Sequence, residues 1–146
     1  MFKRILIPTD GSQVARKAIS SGIRLAKQLG ASVVGYSAVE PLEGFYYEGG
    51  GRRLAEFKTL EERNEAQARR YLAEIEKAAR IAGVVCEVVV TLTSAPYQGI
   101  IATARKKKCD LIFMASHGRG GLASLLLGSV SQKVLGHSKI PVIIYR

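Results

Sequence analysis

The chain has 146 residues, 47% of them hydrophobic and 23% charged, with two cysteines, no tryptophan and a formal net charge of +10. That length allows one domain, residues 1–146, with a core that needs no disulfide or metal staple, and a mean hydropathy of +0.09 excludes a disordered chain. No apolar run is long enough to span a bilayer, and the N-terminus passes directly into a strand pattern without a signal-peptide core, so a cytoplasmic protein that does not engage membranes is expected.

Phe2 to Pro8 reads as a buried strand stopped by a proline that cannot donate to a ladder. Thr9-Asp10-Gly11-Ser12 is a turn cluster in which Asp10 and Ser12 are both N-cap candidates. From Gln13 to Leu29, Val14, Ala15, Ala18, Ile19, Gly22, Ile23 and Ala26 recur at helical spacing, and Gly30 closes that helix. Ser32 to Val39 is a second strand, ended by Glu40-Pro41. An irregular insert follows, Leu42 to Arg52, with Phe45, Tyr46, Tyr47 and glycines 49 to 51. A long helix is expected from about Arg53 to Ala82, on the order of 40 Å, with Phe57, Leu60, Asn64, Ala68, Tyr71, Leu72, Ile75 and Ala79 as its stripe. It outreaches a sheet, so its first turns should project. Val84 to Leu92 is the third strand, and Pro96 opens a helix capped by Thr93 or Ser94, with Ile100, Ile101 and Ala104 facing the core. Cys109 to Met114, a helix over Val130 to His137, and Ile140 to Tyr145 complete the chain.

Continuously apolar strands alternating with helices argue a doubly wound α/β domain: a five-stranded parallel sheet covered by helices on both faces. The flavodoxin-like order 3-2-1-4-5 would make strands one and four neighbours. It would also separate Cys86, in strand three, from Cys109, beside strand four, so both are read as reduced thiols. Between Arg105 and Arg146 eight Lys and Arg face one acid, Asp110, an asymmetry suited to an anionic partner. Within it, Arg105 to Lys108 sits where a helix should end and the dipole favours cations, so that run is read as a solvated helix terminus rather than a binding face.

Ligands of such sheets bind at the carboxyl ends of the strands, where the order reverses. Two polar, turn-prone loops leave carboxyl ends there: Pro8 to Gly11, and Ala115 to Ser124, part of the glycine-rich stretch that runs on to the helix start at Gly128 to Ser131. A strand, a glycine-rich loop and a helix N-terminus present free backbone N–H groups to an anion. The backbone around Gly118 and from Gly128 to Val130 could hold phosphates, assisted by the Ser129 and Ser131 hydroxyls. Asp10, on the opposite lip, could take a ribose hydroxyl or a metal-bound water, or serve as a plain N-cap. There is no P-loop lysine motif, and Gly118-Arg119-Gly120 fails as a dinucleotide fingerprint because position 123 is alanine. Catalytic equipment is thin: His117 in the loop, His137 near a helix end, and Glu40 besides Asp10.

These residues carry a resemblance to the universal stress protein family over essentially the whole chain. It rests on Ile5 to Ser12, Ala38-Val39-Glu40-Pro41, Met114 to Ser131 and Ser138 to Tyr145. Ala115, Gly118, Gly128 and Ser129 fall on the positions of that family's nucleotide pattern G-x2-G-x9-G-[ST], with alanine in place of the first glycine. The resemblance implies an adenine nucleotide alpha hydrolase-like fold and an ATP- or AMP-binding stress-response regulator, with Mg²⁺ as an accompanying ion. Adenine and ribose would lie near Pro8, Thr9, Asp10 and the backbone of Ala38, with Met114 underneath. Phosphates would meet Gly118, Gly128, Ser129, Val130 and Ser131, while Gly120 and Gly121 fall outside the pattern. At Ala115 a positive φ would strain the chain, whereas a negative φ would let the methyl point away; restoring glycine is expected to tighten binding. The resemblance further implies a homodimer through the last strand, Pro141 to Tyr145. The competing readings are a stress protein acting through protein or nucleic-acid partners without nucleotide, and a slow Mg-dependent ATPase. Nucleic acid is disfavoured because no aromatics interleave the basic run.

Overall fold

A computed structural model describes residues 1–42, 50–118 and 127–146, with the side chains of residues 50–54 and 57 outside the description. The elements run β1 (Arg4–Pro8), α1 (Gln13–Leu29), β2 (Ser32–Val39), α2 (Gly50–Ala82), β3 (Cys86–Leu92), α3 (Pro96–Lys106), β4 (Leu111–Ala115), α4 (Ser129–His137) and β5 (Val142–Tyr145). All strand pairs are parallel, in the order β3-β2-β1-β4-β5. β1 is therefore central, with Ile5 opposite Val33 on one side and Leu111 on the other.

The period-2 alternation of strand side chains divides the core into two layers. Ile5, Ile7, Val33, Leu111, Phe113 and Ala115 point to the face covered by α1 and α2, where Ala18, Ile23, Leu72 and Ile75 meet them. Leu6, Val34, Tyr36, Ile112 and Met114 point to the other face, against Ile100 and Ala104 of α3 and Val134 of α4. Burial on both faces explains why β1 and β4 read as unbroken apolar runs.

Ser12 is the N-cap of α1, its hydroxyl accepting from the Ala15 N–H at 3.2 Å, and Gly30 ends the helix at φ 65°. The cap expected of α3 is different. Ala95 holds the N-cap position without a side-chain bond, and Thr93 Oγ1 accepts from the Ala95 N–H at 3.1 Å one step earlier. Pro96 at the first helical position makes this sufficient, since its missing N–H needs no acceptor. Helix α2 begins at Gly50 rather than Arg53, and its stripe is shorter than the periodicity suggests. Ala68, Leu72, Ile75 and Ala79 are buried, whereas Asn64 is exposed and Leu60 is 42% exposed. Among the described residues, burial in α2 begins at Ala68. Strand starts also move inward: β1 starts at Arg4, β3 at Cys86, β4 at Leu111 and β5 at Val142, although Lys3, Val85, Asp110 and Pro141 just before them still each make one backbone bond to the neighbouring strand.

The amino end of the sheet is tied by charge. Glu87 of β3 pairs with Arg4 of β1 and, at 3.1 Å, with Lys107. The hydrogen bond from Lys107 holds the Glu87 carboxyl below its usual range, and the Arg4 charge acts in the same direction against desolvation. Desolvation would raise Asp110, but the Lys3 and Arg4 backbone N–H groups donate to it at 2.9–3.1 Å and lower it overall. Cys86 and Cys109 are free, and burial pushes both thiols up to about 11, so both are protonated at neutral pH and poor nucleophiles.

Candidate functional site

At the carboxyl end of β1 the chain is fastened residue by residue. The Thr9 N–H donates to the Tyr36 carbonyl at 2.8 Å, the Thr9 carbonyl accepts from Ser37 Oγ at 3.0 Å, and Thr9 Oγ1 accepts from the Gly11 N–H at 3.1 Å. Gly11 has φ 77°, and a β-carbon there would run into the Tyr71 ring, so no other residue fits this corner. Asp10 Oδ1 accepts from the Ser12 N–H at 2.9 Å, a local turn that orients the carboxylate. Both readings of Asp10 thus meet in one residue: it braces the start of α1, and it stands on the lip of the crevice.

The second lip follows β4. The Ser116 N–H donates to the Tyr145 carbonyl at 2.9 Å, and the Gly128 N–H donates to the Ser116 carbonyl at 2.7 Å. This last bond pinches the glycine-rich stretch closed at its base. A β-carbon at Gly128 would sit 3.0 Å from His117 Cα and 3.1 Å from His117 Cβ, so this crossing suits glycine. A β-carbon at Gly118 would collide with Asp10 Oδ2; the two loops meet across the crevice as the β1–β4 adjacency requires. Residues 119–126, including Gly120 and Gly121, lie outside the described residues.

Gly128 is the N-cap of α4 and has no side chain to cap it. The first helical bond of α4 runs from the Gln132 N–H to the Gly128 carbonyl at 3.0 Å. The N–H groups of Ser129, Val130 and Ser131 therefore have no intrahelical acceptor, and they open at the positive end of the helix dipole. The Ser131 hydroxyl does not assist as expected. It is buried and donates to the Ala115 carbonyl at 2.9 Å, so its role is to bolt α4 onto the end of β4.

The two lips enclose a cavity of about 530 Å³, within the range of small-molecule sites. Pro8, Thr9 and Asp10 form one rim; Gly118, Gly128, Ser129, Val130 and Ser131 form the other; Ala38, Met114 and Ala115 lie between. Every site residue expected from the sequence thus lines one cavity. Ala115 is part of strand β4, away from left-handed φ, and its methyl belongs to the α1/α2 core layer. The strain considered for it is absent.

The cavity also draws on residues the sequence reading assigned elsewhere. In the sequence Ala15 and Ile100 have the spacing of helix core, Pro96 marks a helix start, and His117 is a loop residue, yet all four line the cavity. Tyr36 was not singled out at all, although register places it beside Pro8. Its hydroxyl bonds Thr91 Oγ1 at 2.5 Å, and burial raises its pKa against that bond. With Ile100, Met114 and Ala38 it gives the cavity an apolar floor. His117 Nδ1 lies 3.0 Å from Ser116 Oγ. Asp10 and Tyr36 join His117 as the titratable side chains of the lining among the described residues, and no group of three or more His, Cys, Asp or Glu there could hold a metal ion.

The family model for the universal stress protein family matches residues 1–146. A universal stress protein of Methanocaldococcus jannaschii, MJ0531, is 35% identical over all of this chain and 83% of its own length. One from Thermus aquaticus is 34% identical over the full length of both. Among solved structures, hypothetical protein MJ0577 superposes with a TM-score of 0.83 at 25% identity, over 99% of this chain and 95% of that one. The fold is shared with a universal stress protein in complex with cAMP (TM-score 0.71, 23% identity, 99% of this chain and 97% of that one). It is also shared with one from Archaeoglobus fulgidus in complex with dAMP (TM-score 0.70, 19% identity, 100% and 98%). With the same sheet order, and with sequence likeness running from the first strand to the last, the chain belongs to the universal stress protein family.

Proposed function

We propose that this chain is an adenine-nucleotide-binding regulatory protein of the stress response. The observation that carries this reading is the cavity at the β1–β4 switch point, which joins an apolar floor to the uncapped N-terminus of α4. Tyr36, Ile100 and Met114 offer a base a flat apolar surface. Asp10 can accept from a ribose hydroxyl, and the Ser129, Val130 and Ser131 N–H groups suit a phosphate. The complexes of related folds with cAMP and dAMP support the same ligand class. ATP and AMP are the ligands proposed, and Asp10 would hold the water shell of a phosphate-bound Mg²⁺.

The test is mass spectrometry of nucleotide released from the purified protein, followed by calorimetric titration with ATP and Mg²⁺. A bound adenine nucleotide, or saturable heat below millimolar ATP, is expected. Absence of both overturns the reading. Gly128→Val forces a branched side chain against the His117 backbone at the N-cap of α4. It should abolish ATP binding while circular dichroism still reports the fold; unchanged affinity would mean the phosphates lie elsewhere. Release of inorganic phosphate in step with added ATP would convert the sensor into the slow Mg-dependent ATPase.

We infer in addition that β5 pairs with a second copy of the chain. It is an edge strand of the sheet, and Ile143 on it is 37% exposed. An unpaired apolar edge is an aggregation hazard that a twofold mate removes.

A further inference from the structure

A second cavity, about 560 Å³, lies between α1 and α2. Its floor is the outer side of the core, Ile19 and Ile23, each 4% exposed. One wall is Ala78 and Ile81 of α2, and Ile81 is 75% exposed although it is a large apolar side chain. The other wall is the cationic side of α1, Arg16, Arg24 and Lys27. Glu74 is the acid of the lining, and it is held by Arg16 at 3.0 Å. Among the described residues no acid pairs with Arg24 or Lys27. From Arg16 to Lys27 the groove follows about 16 Å of helix, roughly three turns.

We infer that this groove docks an acidic amphipathic helix of a partner protein. A helix carrying apolar residues at i, i+3, i+4 and i+7 would lay them along Ile81, Ala78 and Ala82, above the buried Ile19 and Ile23, and acids flanking that stripe would meet Arg24 and Lys27. Charge argues for this occupant: Arg24 and Lys27 have no acid partner among the described residues, and acids flanking the stripe of an incoming helix would supply one. The apolar floor disfavours a phosphodiester backbone, and the concave shape disfavours a planar lipid surface. The length of the groove limits the buried area to the small, transient class of interface, so micromolar affinity is expected. The inference stands independently of the nucleotide reading.

The probe is a fluorescein-labelled peptide of about 14 residues with leucine at the i, i+3, i+4 and i+7 positions and glutamate on the flanks, titrated at physiological salt and followed by anisotropy. A scrambled peptide of equal composition is the control. Expected are micromolar binding of the patterned peptide, at least tenfold weaker binding of the scrambled one, and amide shift changes confined to α1 and the second half of α2. Ile81→Ser and the double variant Arg24→Glu/Lys27→Glu should each weaken binding at least about tenfold. Both sets of positions are exposed, so thermal melting should be nearly unchanged and a folding defect is recognised as such. Equal binding of the two peptides, shift changes elsewhere, or no effect of Ile81→Ser would overturn the inference. So would a change of oligomeric state in the double variant, which would assign the groove to a second copy. Selective loss of polyuridylate or anionic-vesicle binding in the same variants would overturn it in favour of those partners.

Discussion

Ala115 stands at the first glycine position of the pattern G-x2-G-x9-G-[ST], and its backbone decides what the alanine does there. The residue lies in β4, and alternation along Phe113-Met114-Ala115 sends its methyl to the layer of Ile5 and Phe113, opposite Met114. The methyl belongs to that core layer. Ala115→Gly should therefore leave ATP affinity within about threefold while lowering stability by about 1–2 kcal/mol, from lost burial and added chain entropy. Calorimetric titration and urea unfolding check the two halves separately. This reverses the effect expected from the motif, because a spacing pattern carries no side-chain direction. Ser131 makes the same point: its place in the first turn of the last helix is legible, but the bond to the Ala115 carbonyl exists only because α4 returns to the end of β4.

Among the elements, α2 shows how far periodicity reaches. Its apolar positions recur from Phe57 to Ala79, yet the α2 residues of the core layer are Leu72, Ile75 and Ala79. A helix of 33 residues is about 50 Å long and overruns strands of four to eight residues. Ile75→Ala should cost about 2–5 kcal/mol, whereas Leu60→Ala should change stability by no more than about 0.5 kcal/mol. Chemical denaturation of the two variants measures the difference, and equal costs would place the start of α2 against a core surface. Element order and type were legible because each helix and strand carries its own period and its own glycine or proline stop. Ends were less so, since a strand ends where its neighbour's ladder does.

At the scale of the whole molecule, charge binds the two ends of the chain's order together. Glu87, Arg4 and Lys107 come from β3, β1 and the end of α3, and Asp110 receives the backbone of Lys3 and Arg4. Both carboxyl pKa values are lowered on folding. Their contribution is therefore complete above the unfolded values near 4 and is lost as pH falls through the folded ones. Glu87→Gln should lower stability at pH 7 modestly, because the pair is partly solvated, and flatten the acid limb of the stability curve; an unchanged acid limb would remove Glu87 from the network. The other whole-molecule expectation concerns the β5 edge. Ile143→Lys should turn the proposed dimer into a monomer by sedimentation while the sheet remains intact by circular dichroism.

The sequence by itself determined the class of fold, the alternation of elements and both lips of the cavity, because strand burial, helix period and glycine placement are local properties written in short windows. It also carried the family, since the matching segments lie on the strands and turns that build the switch point. The tertiary structure alone decided that Tyr36, Ile100 and Pro96 join those lips, that Ala115 turns its methyl inward and that Leu60 and Asn64 of α2 stay exposed. It also created the groove between α1 and α2. Each of these depends on which surfaces meet, and side chains far apart in the chain acquire a common neighbour only when the sheet is assembled.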